Sequence, residues 1–146
     1  MASETWAWAL GVGALLAVAV GLLAHLVGYD RDRSFYAVVL TVVGALYPLF
    51  AVMAGGHGLG PEVMLFAVFA GIAAAGFARS LWLVAVGLFL HGVFDFARHA
   101  YFPASGAPDW WPAFCGAYDV VAAAALAALL IGGRGPASGG RKQSGS

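Results

Sequence analysis

The sequence predicts an all-α integral membrane protein, a bundle of five transmembrane helices. Three observations lead there. The chain of 146 residues is 62% hydrophobic and only 10% charged, too little polar surface for a domain of this size to stay soluble. Five apolar stretches approach the ~20 residues that a helix needs to cross the hydrocarbon core. Counting those stretches as alternating crossings sorts the basic residues onto one side.

The first span runs from about Thr5 to Val27. Its leading "MASETWAWAL" has no Lys or Arg before the apolar run and carries Glu4. A secretory signal needs a basic n-region and a shorter core, so the segment is expected to stay as a span. The second span, Phe35 to Ala54, contains Pro48. A proline removes one ladder hydrogen bond and predicts a kink. The third, Pro61 to Ala78, is the shortest, and only "RS" separates it from the fourth, Leu81 to Phe102. The fifth runs from about Trp110 to Ile131. These runs are too long and continuous for barrel strands, and a helix satisfies its own backbone in lipid. Turn-forming "GYDRDRS", "GGHGLG" and "PASGAPD" fill the gaps.

Residues 1–132 thus form one bundle. Residues 133–146, in the Gly/Ser-rich "GGRGPASGGRKQSGS", are expected as a disordered cytoplasmic tail with weak attraction for anionic lipid.

Loop charge tests the count. Arg31, Arg33, Arg79, Arg134, Arg141 and Lys142, six of the seven basic residues, share one side. The seventh, Arg98, lies inside span four. The positive-inside rule then predicts a plasma-membrane protein with its N-terminus out and its C-terminus in the cytoplasm. Merging spans three and four gives a four-helix alternative, but that helix would be too long for the bilayer and would bury Arg79. Trp6, Trp8, Tyr101, Trp110 and Trp111 fall at the outer interface and Tyr29 and Trp82 near the inner one, as amphipathic rings prefer.

Composition also narrows partners and chemistry. Zero net charge without a basic cluster argues against nucleic acid. Cys115 is the single cysteine, so no intrachain disulfide forms and no CxxC pair exists. No GxSxG, HExxH or phosphate loop is present. The expected surroundings are the lipid bilayer, with a second copy or another membrane protein as partner. The small-residue runs "AGIAAAGFA" and "AAAALAALL" suit close helix packing, inside one bundle or between copies.

The chemistry concentrates in "LFLHGVFDFARHAYF", residues 88–102. With His91 set at zero, Asp95 falls at about 40°, Arg98 at about −20° and His99 at about 80° on a helix of ~100° per residue. One face therefore carries all four, and it must turn away from lipid, where each charge is costly. Asp119 in the antiparallel fifth span lies at a depth similar to Asp95, with Cys115 one turn away. The loop after span two adds His57 and Glu62 as secondary candidates. His25 sits near the opposite end.

Three readings of this cluster stand open. It is an ion-pair network with Arg98 reaching Asp95 or Asp119. It is a divalent-metal or enzyme-like site. Asp95, His99 and Asp119 would then be ligands or acid/base groups, with His91 supporting them and Cys115 or His57 nearby. Such mixed N/O ligands suit zinc, iron or manganese. His91 and His99 are ~12 Å apart along the helix and do not share one ion. Or it is a proton or substrate pathway of a small carrier.

The segment "LHGVFDFARHAYF…WWPAFCGAYDVVAAA" resembles an uncharacterised family of small bacterial multi-pass membrane proteins, a domain of unknown function. That family carries an LLHxxWDxxHH pattern, a short Pro-containing loop, then a Cys a few residues before an Asp. His91, Asp95, His99, Cys115 and Asp119 match. Phe94 replaces the Trp, Arg98 replaces a His, and Tyr118 stands where a second Cys occurs. These replacements weaken a metal site carried over from the family and favour an ion pair. The resemblance spans the last two helices. It implies a polar site there and names no reaction.

Overall fold

A computed structural model describes residues 2–101 and 106–134. These residues form five α-helices: α1 (Ala2–Val27), α2 (Ser34–Met53), α3 (Leu59–Ala78), α4 (Leu81–Tyr101) and α5 (Trp111–Ile131). Each is long and apolar enough to span a membrane, and no strand occurs among the described residues. The expected span ends agree within about three residues. Phe102 and most of the expected tail, from residue 135 on, lie outside the described residues. The break at Arg79 and Ser80 separates α3 from α4, which excludes the four-helix alternative.

Local chemistry explains the ends. After α1, Gly28 takes a left-handed φ of 91° and its N–H donates to the Ala24 carbonyl at 2.8 Å. A residue without Cβ makes this stop without strain. One 3₁₀ turn, Tyr29–Arg31, follows. Asp32 Oδ1 then accepts the Ser34 N–H at 2.9 Å at the start of α2. That bond and the neighbouring Ser34 hydroxyl hold the exposed Asp32 carboxyl below its ordinary pKa. Gly55, Gly56 and Gly58, all with positive φ, make the turn into α3. Pro61 sits in the first turn of α3, where a missing N–H costs nothing.

The surface is inverted relative to a soluble protein. Leu15, Leu22, Leu26, Val52, Met64 and Phe89 are exposed, while Asp30, Glu62, His91, Asp95, Arg98 and Asp119 are buried. Such an exterior requires hydrocarbon as its solvent.

The helices do not pack as a symmetric ring. α4 contacts α5, α3 and α2, and it is the most enclosed of the five. α2 packs on α3 and α4, and α1 rests chiefly on α5. The one helix with a polar face is thus walled on three sides. Small residues set the closest approaches. Gly13 of α1 lies against the Phe114 backbone so tightly that a Cβ would enter the carbonyl. Gly92 of α4 and Gly116 of α5 face each other, a Cβ on Gly92 lying 2.9 Å from the Gly116 carbonyl oxygen. Gly76 of α3 fits against Val84 of α4, and Ala122 and Ala123 are buried in α5. Of the two small-residue runs, Ala73, Gly76, Ala122 and Ala123 pack inside the bundle, while Gly71 and Ala74 face outward.

Candidate metal centre

The Gly92–Gly116 contact positions the site. Gly92 follows His91 and lies one turn before Asp95–Phe96. Gly116 follows Cys115 and precedes Asp119 by three residues. Bringing these two backbones together places the side chains on either side at short range. His91 Nδ1 lies 2.7 Å from Asp119 Oδ2 and 3.5 Å from Asp95 Oδ2. The Cys115 thiol donates to Asp119 Oδ2 at 3.7 Å. From α2, the Tyr47 hydroxyl donates to Asp95 Oδ1 at 2.7 Å. One potential ligand atom from each of His91, Asp95, Cys115 and Asp119 lies within 4.8 Å of all the others.

All four residues are buried, with Asp95 and Asp119 0% exposed. The edge of the His91 ring meets the Phe69 ring at 4.7 Å between centroids, which holds the imidazole plane. Two carboxylate oxygens, Asp95 Oδ2 and Asp119 Oδ1, are buried without a hydrogen-bond partner. Oδ2 of Asp95 has only the longer ion-pair approach of His91. In a low-dielectric interior an unpartnered carboxylate oxygen is costly.

Charge counting sharpens the point. Arg98 makes a two-pronged pair with Glu62 of α3, Nη1 to Oε2 at 2.7 Å and Nη2 to Oε1. Its guanidinium also lies 4.4 Å above the Tyr47 ring, a cation–π contact. The expectation that Arg98 neutralises Asp95 or Asp119 is corrected: its charge is balanced by Glu62. The reason is the face of α3 that Glu62 occupies: it sits in the first helical turn, buried and bonded to Arg98, rather than standing in the loop. Two carboxylates then face at most one imidazolium. The remaining negative charge needs a proton or a metal cation.

His99, expected as a ligand, is exposed. Its ring packs at a tilt of 49° against Trp6 of α1, 4.4 Å between centroids, and it is not one of the four clustered residues. The cause is angular. At about 80° from His91, His99 has turned past the α4–α5 seam toward α1. The other i, i+4 pair of α4, His91 with Asp95, faces the seam, so His91 is a member of the cluster and not a support behind it. His57 is exposed in the turn before α3 and stays away from the cluster. Asp95, Asp119 and Cys115 are brought together. Tyr47 was not singled out in the sequence. A tyrosine one residue before Pro48, deep in an apolar span, is the signal that marks it.

At the other end of the bundle, His25 Nδ1 and Asp30 Oδ2 are 2.7 Å apart, and Arg33 donates to the Phe77 carbonyl at 3.0 and 3.2 Å. This end is separate from the centre. No family model, curated protein or solved structure matches the chain.

Proposed function

We propose that this multi-pass membrane protein binds a divalent transition-metal ion at His91, Asp95, Cys115 and Asp119, and that zinc is the preferred ion. The observation that carries the reading is the convergence of four potential ligand residues from α4 and α5 within 4.8 Å. Ligand bonds of ~2.0–2.3 Å imply tetrahedral edges of ~3.3–3.8 Å. The separations of 3.5 Å for His91–Asp95 and 3.7 Å for Cys115–Asp119 fall in that range. The His91–Asp119 separation of 2.7 Å is a hydrogen bond that would open when the ion enters.

Residues 91, 95 and 119 alone suit zinc, iron or manganese equally. The thiolate tips the preference toward zinc, since manganese favours oxygen donors. A divalent cation also offsets most of the charge of the two carboxylates and the thiolate and gives the bare Asp95 Oδ2 a partner. Four protein donors complete a tetrahedral shell, which suits retention or passage of an ion better than activation of water. Tyr47 would orient the Asp95 carboxylate from behind. With the N-terminus out, as the loop charges imply, the centre lies in the extracytoplasmic half.

Elemental analysis of the purified protein tests the reading. About one zinc per chain is expected, and cobalt loaded in its place should give a thiolate-to-metal charge-transfer band that Cys115→Ser removes. No stoichiometric metal, together with thermal stability indifferent to added zinc, would end it. The carrier reading rests on the same charge count with a proton in place of the metal. A liposome flux equal for wild type and Asp119→Asn would count against that version.

A further inference from the structure

α1 leans on α5 and α2 leans on α3 and α4, so a cleft opens between α1 and α2 with α5 as its floor. Two cavities lie along it. The one beside Trp111, Phe114 and Cys115 is about 290 Å³ and almost wholly apolar. The other is about 450 Å³ and lies at the end of the bundle opposite the metal centre. It falls within the ~300–1,000 Å³ range of small-molecule sites. Its walls are small and apolar, including Ala17, Gly21, Ala125 and Ala128. Its polar lining residues are His25, Asp30, Tyr36 and Arg134, of which His25 and Arg134 are exposed and Asp30 and Tyr36 buried. One apolar slot with one polar end has the form of an amphiphile.

Length and charge identify the amphiphile. From Val121 to the end of α5 at Ile131 the slot runs ~15 Å at ~1.5 Å per residue, with Gly132 and Arg134 beyond the helix end. The hydrocarbon layer of one leaflet, half of a ~30 Å core, is about 15 Å thick. Arg31, Arg33, Arg79 and Arg134 stand at this end against Asp30 and Asp32, a surplus of two positive charges among the described residues (four minus two). Asp30 is only 3% exposed and lies beneath His25, bonded to it. The acid is thus withdrawn from the mouth, while the His25 side chain stays 52% exposed. Arg134 and His25 are the groups presented.

We propose that this part of the α1–α2 cleft binds one anionic phospholipid, its phosphate between Arg134 and His25 and its acyl chains along Gly21 and Ala125. The site is distinct from the metal centre and does not depend on it. The test uses the full chain in lipid nanodiscs of phosphatidylglycerol or phosphatidylcholine, released and weighed by native mass spectrometry. The wild-type monomer is expected to keep one phosphatidylglycerol in preference to phosphatidylcholine. Arg134→Ala should lower that preference about fivefold, the effect of one basic residue near an anionic headgroup. Gly21→Leu should abolish retention of either lipid by filling the slot. A Cβ at Gly21 meets only the Tyr36 hydroxyl at 3.9 Å, so the backbone tolerates it. Equal retention of both lipids would overturn the proposal, as would retention indifferent to both variants. A dimer without adduct would overturn it too, by showing that a second copy covers the cleft.

Discussion

Replacing Gly92 with alanine tests whether the α4–α5 approach builds the centre. The new Cβ would lie 2.9 Å from the Gly116 carbonyl oxygen and 2.9 Å from Val120 Cγ2. A carbon needs ~3.3–3.6 Å from a carbonyl oxygen, so the helices must part by about 0.4–0.7 Å. Backbone on the far side leaves no rotamer to absorb the shift. Overpacking of this kind costs about 1–3 kcal/mol, partly offset by the ~0.5–1 kcal/mol that alanine gains over glycine within a helix. The matched control is Gly71→Ala in α3, where nothing lies within 4 Å of a Cβ. It carries the same helical gain without the clash. The difference between the two variants isolates the packing term, about 1–3 kcal/mol, read from reversible unfolding in detergent followed by circular dichroism. The same shift stretches the 2.7 Å His91–Asp119 bond, so Gly92→Ala should also weaken zinc binding while Gly71→Ala does not. Equal unfolding midpoints for the two variants would refute the close approach, and with it the reason the four residues meet.

Zinc titrations should separate the histidines: His91→Ala abolishes binding, whereas His99→Ala, at the exposed Trp6 contact, leaves it unchanged. Tyr47→Phe strips one partner from Asp95 Oδ1 and should cost about 0.6–1.7 kcal/mol of unfolding free energy, the range for hydrogen bonds between membrane helices. Glu62→Gln leaves the Arg98 charge buried and unbalanced, a loss of about 3–5 kcal/mol; the double change Glu62→Leu with Arg98→Met should recover much of it in the same unfolding assay. The lowered Asp32 pKa means its carboxylate favours the folded state above the unfolded-chain value of ~3.9. That contribution disappears as pH falls through the still lower folded value, which an NMR titration of the Asp32 carboxyl would follow. Asp32→Asn should remove the acid-side dependence.

The spans were legible because hydrocarbon imposes one rule everywhere: about 20 apolar residues, then a break. Even the short Arg79–Ser80 turn followed from the cost of burying an arginine. The angular pattern of α4 also put His91, Asp95 and Arg98 on one inward face. Partner choice was harder to read, because it depends on where neighbouring helices cross. Helix periodicity gives the angle of His99 but not the line along which α5 lies, and a turn of about 80° sent His99 toward Trp6. Glu62 was expected with the loop, and only the way α3 crosses α4 shows that its face turns inward to become the partner of Arg98. Tyr47 went unnoticed because a lone aromatic hydroxyl barely disturbs an apolar run, while its bond to Asp95 spans 48 positions of sequence.

The pattern in which α1 leans chiefly on α5 bears on how the protein is assembled during synthesis. Helices enter the bilayer from first to last, so α1 stays without its main neighbour while three more are made. When α4 arrives, Arg98 finds Glu62 and Tyr47 already in place, yet His91 lacks Asp119. Only α5 completes both. The last helix to emerge acts as the keystone, closing the polar centre with one face and capturing the first helix with the other. A chain halted before α5 would leave an unsatisfied histidine–aspartate pair in lipid, the kind of defect that membrane quality control can recognise.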